Sequence, residues 1–337
     1  RKLCADIWCV LLAKACPRPE VGAVTCWFAS PFVRKSVLPK VVEDDVMSPM
    51  KIPVISDESW LLCANPDLGP LGNAQPALQD VVDHHVYQGP DGRWRLWAAI
   101  RNAGVGHLIY GWVGSSLTGG PWLPDGVKLR AEQAFGERRE GETEELACAP
   151  FFILHEGRWQ CLFNTMVGLH LLESKDGLTF ARALNAQGQS LIQRSGRDPM
   201  VLRWNGLYLL YSCVTTVSAD GWAKSSVIVR RSNNLRDWSD YTIVAEGGLA
   251  GNGPVSAESP FVHVHEGVYY LFRSSSSDFM TYVYASNNPL HFGVNDDSKL
   301  VAVLPLKAPE IVTHEGVSYI SDLADFKGIR LRRLTWS

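Results

Sequence analysis

The chain has 337 residues, of which 46% are hydrophobic and 20% are charged, and its formal net charge at pH 7 is −3. This composition is that of a globular protein with a large core, and it gives no electrostatic reason to expect binding to nucleic acid or to an anionic membrane. No apolar stretch is long enough to span a bilayer. From the charge and from this absence, respectively, we expect no nucleic-acid partner and no membrane partner. The oligomeric state stays open.

The first segment in chain order, residues 1–49, differs from the rest of the chain. It shows none of the alternation that is typical of strands, and it holds four of the eight cysteines: Cys4, Cys9, Cys16 and Cys26. Lys14 interrupts the best candidate cleavage region, so the segment fits either a poor signal region or sequence that is not native, with translation starting at Met47 or Met50. We predict an irregular segment over residues 1–49 and a catalytic domain over residues 50–337.

The remaining cysteines, Cys63, Cys148, Cys161 and Cys213, have no metal-ligand spacing. We therefore expect buried thiols and no metal site made of these residues.

A unit of about 50 to 65 residues then recurs five times, from residue 83 to the end of the chain. Each copy contains two runs rich in β-branched and aromatic residues, joined by a turn that ends in glycine. The turn glycines are Gly92, Gly157, Gly206, Gly267 and Gly316. Repeats of this length indicate a propeller, a solenoid or another array.

A second element follows four of the hairpins and has the form of a turn between a third and a fourth strand. It runs from a small residue to an aromatic one, over residues 114–122, 174–180, 232–238 and 286–292. Four antiparallel strands per repeat make one propeller blade. We predict an all-β, five-bladed propeller, in which a strand near residues 51–63 supplies the missing outer strand of the last blade and closes the ring.

Carboxylates recur where the first strand of a blade begins, next to the propeller axis. Counting back seven positions from each turn glycine reaches Pro150, Pro199, Pro260 and Pro309, and reaches His85 in blade one. Just before these positions lie Asp83, Asp198 and Glu258, and Glu310 follows in blade five. Such carboxylates converge on one depression and raise each other's pKa, so one of them can stay protonated near neutral pH.

Two or three converging carboxylates, with aromatic residues nearby, suit the cleavage of a glycosidic bond. One acid protonates the leaving oxygen, and a second carboxylate activates water or attacks the anomeric carbon. The same cluster is also compatible with a structural cation near the axis or with a binding propeller that has no activity. We expect no required cofactor and no catalytic metal.

The chain resembles the five-bladed β-propeller glycoside hydrolases, the clans that contain families 32 and 43 and related families such as family 117. The resemblance covers residues 50–337 and is carried by Asp83, by the triplet Arg197-Asp198-Pro199 and by the run Ala257-Glu258-Ser259-Pro260. It implies that Asp83 is the nucleophile or general base, that Asp198 stabilises the substrate or tunes the acid, and that Glu258 is the general acid. The sequence Val82-Asp83-His84-His85 departs from the family-32 motif, which leaves the sugar open.

We expect further substrate contacts at the starts of the inner strands, from His84, His85, Arg197 and Glu310. Because the second strand of each blade ends on the face where the first begins, its end and the following loop form the rim of the opening. At this rim we expect contacts from Trp97, Arg101, Trp222 and Arg273. Arg101 and Arg273 are candidate clamps for hydroxyl or carboxylate groups, and salt bridges to neighbouring carboxylates are the competing interpretation.

The function predicted from the sequence is removal of a terminal sugar from an oligosaccharide or glycoside. A glycoside phosphorylase, with a phosphate site near Arg101, Arg197 and Arg273, is an alternative, as is a carbohydrate-binding propeller without turnover. A carbohydrate substrate favours a secreted or periplasmic location over the cytoplasm. The anomer, the linkage and the choice between retention and inversion stay open.

Overall fold

The computed structural model describes residues 50–337, and the prediction for residues 1–49 lies outside this range. The described chain forms five sheets of mainly antiparallel strands, arranged as the five blades of a propeller. No helix between Met50 and Ser337 is long and apolar enough to cross a membrane.

The first strand along the chain, β1 (Pro53–Ala64), precedes blade one. The strands of blade one are β2 (Asp80–Gln88), β3 (Trp94–Ala103), β4 (Gly106–Gly114), β5 (Leu123–Leu129) and the short β6 (Glu145–Leu146), which pairs in parallel with β4. Blade two consists of β7 (Cys148–His155), β8 (Arg158–Asn164), β9 (Leu169–Ser174) and an outer strand broken into β10 (Ala181–Arg182) and β11 (Leu191–Gln193).

Blade three consists of β12 (Arg197–Trp204), β13 (Leu207–Val217), β14 (Ala223–Ser232) and β15 (Thr242–Glu246). Blade four consists of β16 (Glu258–His265), β17 (Val268–Ser275), β18 (Met280–Ser286) and β20 (Leu300–Leu304), and the short β19 (Gly293–Val294) pairs in parallel with β15. Blade five consists of β21 (Ile311–His314), β22 (Val317–Asp322) and β23 (Gly328–Trp336). Single-turn 3₁₀ helices cover Gly69–Leu71, Pro76–Leu78, Gln133–Phe135, Gly248–Ala250 and Ala324–Phe326.

The ring closes through the N-terminal strand, as the sequence predicts. Strand β1 pairs antiparallel with β23, from Pro53 opposite Trp336 to Ala64 opposite Gly328. The order in this sheet is β1-β23-β22-β21, so β1 is the outer strand of blade five. Closure gives the last blade its fourth strand and joins the two ends of the described chain.

The turn glycines of blades two to five have the predicted role. Gly157 has φ +76° and follows Glu156 at φ +48°, and the other three turns repeat this pair of left-handed residues. Two consecutive positive φ angles make the tight turn that matches strand twist. Blade one differs, because five residues, 89–93, separate β2 from β3.

The hydrophobic core lies between the blades. Phe152 of blade two, for example, stacks on Tyr87 at 4.2 Å between ring centroids and meets Trp97 edge-on at 4.9 Å. Cys63, Cys148, Cys161 and Cys213 are free and buried, as expected. Packed blades of this kind hold the starts of the five inner strands in fixed positions around the axis.

Candidate active site

The inner strand of every blade begins with the same backbone irregularity. One residue per blade, outside any tight turn, has a left-handed conformation with φ between +42° and +55°: Asp83, Ala149, Asp198, Ser259 and Ala308. At four of these positions the pairing register with the second strand also shifts. A bulge re-aims the neighbouring side chains, and here it does so five times around one axis.

This arrangement corrects the alignment of blade one. The structure places Asp83 at the position of Asp198, and it places His84, rather than His85, at the position of the prolines. Glu258 lies one residue before the bulge, at the position of Arg197 in blade three and Lys307 in blade five. Aligning the blades on their turn glycines shifts blade one by one residue, because the turn of blade one is longer.

A cavity of about 30 Å³ lies on the axis, and Asp83, Asp198 and Glu310 are among the residues that line it. The backbone amide of Ser259 donates to Asp198 Oδ2 at 2.9 Å, and the amide of Asp198 donates to Asn164 Oδ1 at 3.0 Å. These two hydrogen bonds connect the bulge of blade three to the bulge of blade four and to the end of β8 in blade two. The amide of Ser259 gives the Asp198 carboxylate a defined orientation.

Glu258 stands beside Asp198 and is held by two polar groups. Arg197 lies 3.6 Å from Glu258 Oε1 and 3.9 Å from Asp198 Oδ2, and its Nη1 donates to Thr215 Oγ1 at 2.9 Å. The hydroxyl of Ser276, in the loop between β17 and β18, donates to Glu258 Oε2. Arg197 thus lies beside two of the acids, Glu258 and Asp198, at the start of the inner strand of blade three.

Burial dominates the electrostatics of these acids. It raises the pKa of Asp83 to about 8, and the charge of Asp198 adds to the rise while Arg101 opposes it. Burial also raises the pKa of Glu258, against the opposing effect of Arg197. Each shift follows because a carboxylate loses water, and a neighbour of like charge adds repulsion. At least one proton therefore stays in the cluster near neutral pH.

His84 and His85 each have a polar partner within the protein. His85 Nδ1 lies 2.7 Å from Glu310 Oε2, and the ring packs 4.4 Å from that of Phe151. His84 is only 2% exposed, and its Nε2 lies 2.6 Å from Ser321 Oγ. Burial lowers the pKa of His84 to about 3 and raises the pKa of Glu310. Of these side chains, His84 and Glu310 line the axial cavity. Contact of His84, His85 or Glu310 with substrate stays a prediction.

Two of the predicted rim residues, Arg273 and Trp97, are buried inside the protein. Arg273 is 1% exposed, and its guanidinium donates to the carbonyl oxygens of Gly247, Gly251 and Ser256 at 2.8–3.0 Å. It fixes the loop before blade four, because a buried guanidinium must satisfy its donors. Trp97 is 4% exposed and lies in the core between blades one and two, so the prediction of substrate contact is wrong for both residues.

The other two rim residues lie where the topology predicts. Arg101 forms a 2.9 Å salt bridge with Asp80 and is close enough to influence the pKa of Asp83. Trp222 is 60% exposed in the turn between β13 and β14, on the face of the propeller where the inner strands begin. Within residues 50–337, no group of three or more His, Cys, Asp or Glu side chains has the arrangement of a metal site.

Solved structures align with this chain at low sequence identity. A thermostable family-43 glycoside hydrolase aligns with a TM-score of 0.55 and 16% identity, over 80% of this chain and 92% of its own. A GH43_1 enzyme from Xanthomonas citri complexed with xylose has a TM-score of 0.54 and 15% identity, with coverages of 77% and 87%. A Bombyx mori GH32 β-fructofuranosidase has a TM-score of 0.52 and 15% identity, with coverages of 81% and 62%.

The chain shares the propeller fold of these structures. This confirms the architecture that the sequence resemblance implies. No family model and no curated protein sequence matches the chain. The similarity therefore concerns the fold, and an argument about chemistry has to come from the side chains of this site.

Proposed function

We propose that this protein is a glycoside hydrolase that removes a terminal sugar from an oligosaccharide or glycoside. The observation that supports this proposal best is the meeting of Asp83, Asp198 and Glu258, from three different blades, beside one axial cavity. Cleavage of a glycosidic bond requires one protonated and one ionised carboxyl group on opposite sides of the bond. A buried cluster that retains a proton near neutral pH meets that requirement.

We assign Glu258 as the general acid. Its raised pKa favours the protonated form, and Arg197 and Ser276 fix its two oxygens. After proton transfer the carboxylate would be stabilised by the same guanidinium and hydroxyl. The acid can then recover a proton from water in the next step, which is the cycle that either stereochemical outcome needs.

We assign Asp83 as the nucleophile or general base. It must be ionised to act, and Arg101 lowers its pKa against the effects of burial and of Asp198. Substrate binding would have to leave the single proton on Glu258 rather than on Asp83. Asp198, held by the amide of Ser259, would orient the sugar and set the charge that the other two acids experience.

Action at a chain end is supported by the size of the axial cavity. About 30 Å³ accommodates one or two water molecules and cannot pass a sugar along the axis. A substrate would therefore enter from the face that carries the acids, with its terminal residue first. The sugar-bound Xanthomonas citri enzyme of similar fold supports a carbohydrate substrate, although at 15% identity it does not identify the sugar.

The test is sugar release by the full chain from a panel of aryl glycosides and natural oligosaccharides, with Glu258→Gln beside it. Glu266→Gln is a matched control, because it makes the same change in the exposed hairpin turn of the same blade. We expect release of single sugars by the wild type and by the control, and a loss of at least about 100-fold in Glu258→Gln. Absence of turnover with sugar binding retained would instead support a binding propeller, and a strict requirement for phosphate would support a phosphorylase.

A further inference from the structure

The face that carries the acids has a second cluster of side chains, on the side of blade five, which the proposed chemistry does not use. Phe279 and Phe326 lie in the second-to-third strand loops of blades four and five, and their rings meet edge-on at 5.8 Å. Lys307 Nζ lies 4.8 Å from the centroid of Phe326 and 5.5 Å from that of Phe279. The guanidinium carbon of Arg101 lies 5.5 Å from the Phe326 ring. We call these four residues the blade-five cluster.

The blade-five cluster borders the acids. Lys307 directly precedes the left-handed residue Ala308, so it occupies in blade five the position that Glu258 and Arg197 occupy in their blades. Both of those side chains meet at the acid cluster, and the repeat geometry directs Lys307 toward the same funnel. Arg101 reaches the cluster from blade one and is close enough to Asp83 to lower its pKa.

The backbone that presents Phe326 is strained. Ala324, Asp325 and Phe326 have φ angles of +42°, +57° and +67°, three consecutive left-handed residues without a glycine. The left-handed conformation is costly for residues that carry a Cβ, and strain of this kind is typical of ligand sites. In this conformation the centroid of the Phe326 ring lies 4.8 Å from Lys307 Nζ and 5.5 Å from the guanidinium carbon of Arg101.

Among the ion-paired side chains in and beside the cluster, with the acids Asp83 and Glu258 left out of the count, cations outnumber carboxylates by one. Asp80 is shared by Arg101 at 2.9 Å and Lys327 at 3.0 Å, and Asp325 pairs with Lys307 at 3.1 Å. These five side chains comprise three cations and two carboxylates, a sum of +1. The carboxylate of Asp325 is 89% exposed, so its pair with Lys307 contributes little and a ligand carboxylate can replace it.

We propose that the blade-five cluster is a subsite for the carboxylate of an acidic sugar, so that the substrate is a glycoside of a uronic acid. Phe279 is 37% exposed and can pack against the apolar side of a pyranose, while Lys307 and Arg101 bind the carboxylate beside it. The inference rests on the proposed function for the placement of the sugar, but the binding step is measured separately. Inorganic phosphate is the other oxyanion that such cations accept, and it is tested as a separate arm.

The experiment measures binding by the full-length Glu258→Gln protein, so that turnover does not interfere. D-Glucuronate and D-galacturonate are compared with D-glucose and D-galactose, in this background alone and with Lys307→Met, Lys307→Arg or Lys175→Met added. Lys307→Met keeps the aliphatic stem over the rings, Lys307→Arg keeps the charge, and Lys175→Met is a matched control in an exposed turn of blade two. We expect a uronate to bind at least tenfold more tightly than its neutral counterpart. This preference should fall at least fivefold in Lys307→Met and should be kept in Lys307→Arg and Lys175→Met.

Equal binding of neutral and acidic sugars, no measurable uronate binding, or the same preference in Lys307→Met and Lys175→Met would overturn the subsite. Phosphate that binds in a Lys307-dependent way and is required for turnover would overturn it in favour of phosphorolysis. Hydrolysis of neutral glycosides by the wild type, with no uronate preference, would leave the proposed function standing and remove only this inference. Lys307-dependent uronate binding without turnover would support the subsite and count against hydrolysis.

Discussion

Removing the carboxylate of Asp83 should make the protein more stable, and increasingly so as the pH rises. Burial and the charge of Asp198 raise the pKa of Asp83 from 3.8 to about 8. Between these values the folded protein holds a proton that the unfolded chain has released, so the free energy of unfolding falls as pH rises. Asp83→Asn removes this penalty because the amide is neutral at every pH.

The magnitude follows from the slope of this linkage. One proton held by the folded state alone gives about 1.4 kcal/mol per pH unit, or about 3 kcal/mol between pH 5 and pH 7. Asp83 is partly exposed to the funnel, where water screens some of this effect. We therefore expect the stability advantage of Asp83→Asn over wild type to grow by about 1.5 to 3 kcal/mol across this interval.

The assay is urea denaturation at pH 5, 6 and 7, followed by tryptophan fluorescence, on wild type, Asp83→Asn and Asp91→Asn. Asp91 pairs with Arg95 in the exposed turn of blade one, which holds the pKa of Asp91 below its usual range. The contribution of Asp91 to stability is lost only in acid. The free energy of unfolding of Asp91→Asn should therefore change with pH in the same way as that of wild type from pH 5 to 7. A destabilised Asp83→Asn, or an advantage that does not change with pH, would refute the argument that Asp83 is a buried and crowded acid.

Three further substitutions separate the roles of the surrounding residues. Ser276→Ala removes a hydrogen bond that favours the ionised form of Glu258. The apparent pKa of the alkaline limb of the pH–rate profile should therefore rise by about one unit, and an unchanged apparent pKa would contradict that contact. Trp222→Ala should raise KM about tenfold for oligosaccharides while leaving kcat and the unfolding midpoint unchanged; an equal loss for monosaccharide aryl glycosides would exclude a platform at the mouth. Arg273→Met should lower the free energy of unfolding by at least about 3 kcal/mol, because three backbone carbonyls lose their donor. A stable variant with a raised KM would instead support the role of Arg273 as a substrate clamp.

The sequence predicts the propeller because its signals are local and repeated. Each turn glycine sits between two β-rich runs, and the pairing of β1 with β23 follows from a last blade that lacks one strand. The meeting of Asp83, Asp198 and Glu258 is also predictable, since equivalent strand starts converge on one axis. The one-residue offset of blade one was not visible, because it depends on the longer turn over residues 89–93.

Side-chain direction at the rim was harder to predict. Trp97 and Arg101 lie on the same strand, β3, yet Trp97 is buried in the core and Arg101 forms a salt bridge with Asp80 near the acids. Neighbouring blades cover both faces of each blade, so the alternation of polar and apolar residues along a strand does not separate buried from exposed positions. Ser276 and Phe326 come from loops with no motif, whereas Lys307 was already in phase with Glu258 and could have been singled out on that ground.

The most direct test of the central claim is the dependence of rate on the leaving group in Glu258→Gln and Asp83→Asn. A leaving group that needs no protonation, such as dinitrophenolate, makes the general acid dispensable, whereas the other carboxylate is required for every substrate. We expect Glu258→Gln to retain activity on dinitrophenyl glycosides within about tenfold and to lose it on alkyl glycosides, while Asp83→Asn loses both activities. Retained dinitrophenyl activity in Asp83→Asn, with none in Glu258→Gln, would reverse the two roles. Unimpaired cleavage of alkyl glycosides by both variants would show that neither carboxylate is catalytic.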